Sequence, residues 1–215
     1  MSHFVTLVLL PPATPAAEVE TAVANGLAPF DENQPVDPYE TACWCVGQRA
    51  VRDGMETANR TVAPLDQLRT RYGTLPENDR PGWDTWIVDW QAAADQAERA
   101  HPLYQKPDPT CPECQGTGTR WTTYNPHSQW DWWVIGGRWD GWLSPDNVIP
   151  VRDIPSGAPM PFAVVTPDGL WYQRAQMGWW GFTSDEQPAA AWADTVQQLF
   201  HAYPDALAVT CDLHI

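Results

Sequence analysis

The sequence predicts an α+β fold: a small mixed or antiparallel sheet with packed helices and a zinc-knuckle insertion. Three observations carry that expectation. Apolar and β-branched runs stand near both ends of the chain, Phe4 to Leu10 and Ala206 to Ile215, and a strand–turn–strand pattern fills Pro161 to Arg174. Helical periodicity runs through Asp84 to Ala100 and Asp185 to Ala202. Two close thiol pairs, Cys43/Cys45 and Cys111/Cys114, interrupt the regular elements. The 215 residues, 43 % of them hydrophobic, suit a single domain, residues 1–215, in which 40–60 and 106–120 contribute the zinc-binding subregion.

Phe4 to Leu10 lacks polar alternation and reads as a buried strand, stopped by Pro11 and Pro12. Ala16 to Asn25 reads as a short helix ended by Gly26, and residues 28 to 39 as loop. Glu40 to Asn59 has helical character but contains the Cys-Trp-Cys segment, and Ala63 to Tyr72 reads as a further short helix. In Asp84 to Ala100, residues Trp83, Trp86, Ile87, Trp90, Ala93, Ala94 and Ala97 keep the i, i+3, i+4, i+7 rhythm, and Pro102 closes the helix. Lys106 to Thr119 is a Pro- and Gly-rich loop, and Trp121 to Leu143 a stretch of short strands and turns. The run Thr166-Pro167-Asp168-Gly169 between PFAVV and LWYQR is a tight turn joining two strands. Asp185 to Ala202 puts Trp192, Val196, Leu199 and Phe200 on one stripe, with Ser184 or Thr183 as cap, and Ala206 to Ile215 is a final strand, expected beside the first.

The formal charge of −15, from 27 acidic and 12 basic residues, argues against a nonspecific grip on phosphate backbones and against an anionic membrane. It admits a basic protein partner, for which the acidic surface imitates nucleic acid. The opening MSHFVTLVLLPP lacks a basic start and its apolar run is too short to span a bilayer. Four of the five cysteines, in Cys-x-Cys and Cys-x-x-Cys spacing, suit a metal in a reducing compartment better than a secreted disulfide framework, so a cytoplasmic location is expected.

In CPECQG the thiols of Cys111 and Cys114 flank a turn that Pro112 shapes and Gly116 lets curl. One such pair is half of a tetrahedral site, and Cys43 and Cys45 are the obvious other half, provided no regular helix runs through them. The Cys-x-x-Cys-x-Gly-x-Gly string resembles one repeat of the cysteine-rich zinc region of DnaJ-type chaperones, which implies zinc binding at Cys111 and Cys114 and nothing further. A four-cysteine zinc is structural; a redox dithiol and free thiols are the alternatives.

Six of the fourteen tryptophans fall between Trp121 and Trp142. In that block Asn125 opens a turn, Gly136-Gly137 permits close backbone approach, and Arg138 is a fork-shaped donor for carboxylate or phosphate. Alternation places Trp130 and Trp132 on one face, Asp131 and Trp133 on the other. One reading is a pocket for a planar or anionic small molecule, with Asn125, Trp130, Trp132, Arg138, Trp139 and Trp180 of the MGWWG motif (177–181) as its lining. The other is a tryptophan core with Arg138 paired to Asp131 or Asp140. The segments MSHFVTLVLL, APFDEN, YNPHSQWDWWVIGGRW, TPDGLWYQRAQMGWWG and CDLHI together resemble a family of uncharacterised proteins of bacteriophages, especially those of actinobacteria, and their hosts; Val5-Thr6 and Trp133 depart from the family pattern. The resemblance implies no chemistry. It sets a cellular context in which a host nucleotide could be the ligand, beside the basic host protein that the charge admits.

Asp212 and His214 alternate on the final strand and face one way, and His3 lies on the first. If those strands pair, the three converge as a general acid–base or metal site, the setting for a metal-assisted hydrolase. No P-loop, GxGxxG, HExxH or GxSxG string is present. Ligand binding, protein interaction and catalysis all remain open at this level.

Overall fold

A computed structural model of the chain describes residues 2–76, 80–177 and 183–215. In chain order the main elements are β1 (His3–Leu10), α1 (Val19–Leu27), β2 (Tyr39–Ala42), α2 (Gln48–Thr61), α3 (Leu65–Thr74), α4 (Trp83–Trp86), α5 (Val88–Ala100), β3 (Thr119–Thr122), β4 (Trp132–Ile135), β5 (Val148–Pro150), β6 (Ala163–Val165), β7 (Trp171–Gln173), β8 (Gln176–Met177), β9 (Thr183–Ser184), α6 (Ala189–Ala202) and β10 (Leu207–His214). The fold is α+β. Two compact units form, one from Met1–Asp37 with Thr123–Ile215, the other from Pro38–Thr122. Among the described residues no helix is long and apolar enough to cross a membrane.

The first unit is built on a six-stranded mixed sheet. Its order is β4-β10-β1-β6-β7, with β5 also on β10. The two long strands form its centre: β1 and β10 run antiparallel in the register His3↔His214 through Leu10↔Leu207. The free edge of β10 is shared by β4 along one half and β5 along the other. On its other side β1 takes β6 in parallel, and β6 turns back into β7 through Thr166–Gly169. One face of the sheet, with Phe4, Val8, Val209, Cys211 and Leu213, packs against Val19, Val23 and Leu27 of α1. The opposite face, with Leu7, Leu9, Val164 and Ala208, packs against Trp192, Val196 and Leu199 of α6. Each fully buried Leu or Val contributes roughly 1.5–3 kcal/mol. Cys211 is fully buried in this core, and burial pushes its thiol far up.

The second unit pairs α2 with α5 and carries the two-stranded ribbon β2–β3. The helices approach closely because α2 offers Ala50, Gly54 and Ala58 to its partner; a Cβ on Gly54 would lie 2.8 Å from the Ala94 carbonyl oxygen. Trp90 closes that interface by donating its indole N–H to Asn59 at 3.0 Å.

Several element boundaries differ from the sequence reading. The helix expected to end at Gly26 runs on to Leu27. Residues 40–59 are not one helix: β2 ends at Ala42, a turn carries both cysteines, and α2 begins at Gln48 after the left-handed Gly47. The helix expected over 84–100 is interrupted at Ile87, whose ψ of 14° is not helical. The last helix starts at Ala189 instead of Asp185, because Pro188, extended and fit for a helix entry, precedes it, and neither Thr183 nor Ser184 caps it.

Candidate functional site

The thiol cluster is assembled by two turns. Cys43 leaves β2 with its N–H on the Gly118 carbonyl at 2.8 Å, and the chain then folds back so that Val46 donates to the Cys43 carbonyl at 3.1 Å. On the other side Gln115 donates to Cys111 and Thr117 to Cys114, both at 2.9 Å. That turn needs positive φ at Gln115 and Gly116, and a Cβ on Gly116 would press on Pro109 at 3.1 Å. The result brings Cys43 Sγ to 3.7 Å from Cys111 Sγ and Cys45 Sγ to 3.4 Å from Cys114 Sγ. All four sulfurs lie within 4.8 Å of one another, and all four residues are buried.

These separations are too long for disulfides, whose sulfurs sit at about 2.05 Å. They match a tetrahedron of thiolates around an ion, whose edge for Zn–S bonds of about 2.3 Å is about 3.8 Å. Burial pushes the Cys45 thiol up to about 12. Burial opposes ionisation of Cys114 too, but backbone hydrogen bonds at Gly118 and Gly116 and the Cys45 thiol overcome it and bring Cys114 down to about 6. The four residues are a donor set that could hold a metal ion, and all four would bind it as thiolates.

A second constellation lies in the first unit. In the antiparallel register His3 stands opposite His214, and His214 opposite Trp132 on β4, so the three share one face. Asp212 and Val134 follow one step along on that face. His3 Nδ1 lies 2.9 Å from Asp212 Oδ1, and His214 Nδ1 lies 2.5 Å from Asp131 Oδ1. The rings of His3 and His214 are 4.9 Å apart, edge to face, and Trp132 stands 6.0 Å from His3. Asp212 is 1 % exposed, and its second oxygen accepts the Arg138 backbone N–H at 3.0 Å. Because a carboxylate only accepts, each Nδ1 is the donor of its pair. The Nε2 of His214 is buried with no hydrogen-bond partner among the described residues.

The Gly136-Gly137 turn makes this packing possible. Gly137, at φ +59, leaves room for Asp212; a Cβ there would fall 2.7 Å from Oδ2. Asn147 braces the turn, donating to Asp140 at 2.6 Å and accepting the Gly141 N–H at 2.9 Å. Glu32, whose N–H meets the Trp130 carbonyl, has its carboxyl pushed up by burial and then by Asp131 and Asp31.

Other residues of the tryptophan block fall in different places. Trp130 is buried against α1 and donates to the Leu27 carbonyl at 3.1 Å. It does not share a face with Trp132, because the strand begins only at Trp132; Trp133, not Trp132, joins Trp130 in that core. Asn125 is a buried bracket, donating to the Pro29 and Asp31 carbonyls at 2.8 and 3.0 Å. Trp132 is exposed and Trp139 half-buried, its indole N–H buried without a partner among the described residues. Arg138 is exposed; Asp131 is engaged by His214 and Asp140 by Asn147. Trp180, with Gly178, Trp179 and Gly181, lies outside the described residues.

Sequence reasoning missed Asp131 as the partner of His214. It also missed Asn147, a non-glycine residue at φ +59 between two acidic turns. A cavity of about 470 Å³ under the last turns of α6, lined by Leu143, Met160, Phe200 and His201 among others, shares no residue with the histidine–carboxylate face. Of its titratable lining residues, Arg152 is already paired with Asp205 at 2.7 Å. Comparison of the chain with protein-family models, curated proteins and solved structures gave no match.

Proposed function

We propose that the protein is an acid–base enzyme whose working pair is His3 and His214, and that its cysteine cluster is a structural zinc site. The single observation that carries the enzyme reading is two imidazole–carboxylate pairs, His3–Asp212 and His214–Asp131, meeting ring to ring on one sheet face. A carboxylate on Nδ1 fixes the tautomer and ring orientation and stabilises the imidazolium that forms when Nε2 takes a proton. Two such rings side by side let one imidazole accept a proton while the other donates one.

The histidine face is read as acid–base in preference to metal-assisted chemistry because of its donors. Among the described residues the four cysteines are the group of three or more His, Cys, Asp or Glu ligands that converges on one point. Zinc at the cysteines would have four protein ligands and no open position, so its role is to hold the turns of the second unit together. Trp132 stands beside His3 as a wall for a planar ligand.

The test is hydrolysis of activated p-nitrophenyl esters by the full chain and by His3→Ala and His214→Ala. Loss of turnover in both variants, at wild-type zinc content and urea midpoint, supports the reading. Turnover that survives both substitutions removes it.

A further inference from the structure

We propose that the cavity under the last turns of α6 is a binding site for an uncharged, mainly apolar small molecule that ends in one hydroxyl or carbonyl oxygen. The cavity shares no residue with the histidine–carboxylate face, so its failure as a site would leave the acid–base reading untouched.

Packing gives the first argument. Protein interiors hold few gaps larger than a water molecule, yet about 470 Å³ lies open beside the core that α6 covers. That volume falls within the range of small-molecule sites, about 300–1,000 Å³. Leu7 of β1 and Val151, both buried, form its base, and Leu143, Ile154 and Phe200 its apolar walls. Gln197, Phe200 and His201 are spaced i, i+3, i+4 on α6, so one stripe of that helix faces the cavity. The rim continues through residues 155–160. There Ala158 donates to the Pro155 carbonyl at 3.0 Å, Gly157 turns the chain at φ +86, and the rings of Pro155 and Pro159 fix two further φ angles. A rim so constrained resists collapse into the gap.

Charge gives the second argument, and it selects the ligand. The first unit holds fifteen of the 27 acidic residues and three of the twelve basic ones, so an anion approaches it against a net negative field. The carbonyl end of α6, at the same mouth, adds to that opposition. Arg152 cannot offset it, because Asp205 already holds its guanidinium at 2.7 Å. A cation fares no better: among the described residues that line the cavity there is no Asp or Glu to pair with it. What the mouth does offer is neutral. Ser156 and Gln197, both exposed, each donate and accept hydrogen bonds, which suits a hydroxyl or a carbonyl oxygen. The apolar remainder of the ligand gains its affinity by leaving water for the walls.

The experiment uses the full chain with labelled methyl groups, and hexanol, octanol, octanoate and octylammonium as probes. The expected result is a saturable shift of the Leu143, Ile154 and Met160 methyl signals with octanol. Affinity should rise about three- to fourfold per methylene from hexanol to octanol. Octanoate and octylammonium should bind about tenfold or more weakly than octanol. Asp205→Asn leaves Arg152 unpaired and should tighten octanoate about threefold while octanol is unchanged. Met160→Trp enlarges an exposed side chain of the lining and should weaken octanol about tenfold at an unchanged urea midpoint. No saturable shift with octanol, or octanol binding that Met160→Trp leaves intact, overturns the site. Octanoate or octylammonium bound as tightly as octanol overturns the uncharged assignment. Dimerisation that Met160→Trp abolishes would make a second copy of the chain the occupant and overturn the small-molecule reading.

Discussion

Replacing Gly137 with alanine tests whether the histidine–carboxylate face is held by backbone contact with Asp212. At φ +59 an added Cβ would stand 2.6 Å from Asp212 Cβ, 2.7 Å from its Oδ2 and 2.8 Å from Val134 Cγ1. Gly141, four residues on, has φ +72 and nothing within 4 Å of its Cβ position, so it provides the control. Left-handed backbone costs an alanine about 1–2 kcal/mol at either position. Overpacking adds about 1–3 kcal/mol at Gly137 alone, since Asp212 sits on a central strand and cannot swing to solvent. Gly137→Ala is therefore expected to lose about 2–5 kcal/mol against about 1–2 kcal/mol for Gly141→Ala, summing those two costs. Urea unfolding followed by tryptophan fluorescence measures the difference. The ring nitrogen shifts of His3 give a second readout, because moving Asp212 moves the partner of His3 Nδ1. Those shifts should change in Gly137→Ala and stay put in Gly141→Ala. Equal losses of stability, with His3 unperturbed in both, would refute the claim that the glycine exists to seat Asp212.

Other perturbations follow from the same contacts. Cys111→Ser should remove zinc detected by elemental analysis and lower hydrogen-exchange protection in residues 38–122, while the β1–β10 amides keep theirs; zinc retained at wild-type level argues against a shared four-thiol site. Trp192→Phe removes the indole donor from the buried Pro161 carbonyl, a 2.7 Å bond, and should cost about 2–4 kcal/mol by denaturant titration. The Asp168–Tyr203 contact supplies a pH signature. The Thr166 and Tyr203 hydrogen bonds hold the Asp168 carboxyl below its usual range, so its contribution is complete above the unfolded value and fades as pH falls through the folded one. Asp168 in turn raises the Tyr203 phenol, whose contribution is complete at neutral pH and fades as pH rises through its folded value. In Tyr203→Phe the acid-side loss should be smaller and the alkaline-side loss absent, as urea midpoints across pH would record.

The two long strands were legible because both faces of the central sheet are covered, and a strand buried on two sides has no polar alternation to hide it. The Thr166–Gly169 hairpin was legible because its turn chemistry is local. The cysteine segment was read as helix because the periodicity of α2 is real from Gln48 onward; what stops it short is the demand that Cys43 and Cys45 turn toward Cys111 and Cys114, a contact 66 or more residues away that no local pattern contains. The same limit explains Asp131. In WDWW the alternation is plain, but where the strand starts depends on pairing with β10, and that start decides whether Trp130 joins the exposed face or the core. His3, Asp212 and His214 could be named from their alternation, whereas their fourth partner required the register.

That register explains why strands, and not loops, make a suitable base for this chemistry. A one-residue slip between β1 and β10 would turn His3 and His214 to opposite faces and exchange the two faces of the slipped strand between the cores. The cores against α1 and α6 forbid it, since Phe4, Val8, Val209 and Leu213 on one side and Leu7, Leu9 and Ala208 on the other are all buried. The hydrophobic contacts that stabilise the sheet therefore also set the spacing of the two imidazoles. Fine orientation is then left to Asp212 and Asp131, each tied to one ring. The arrangement separates the two requirements of a proton-transfer site: the packed sheet supplies the distance between the carriers, and the carboxylates supply the direction each ring faces.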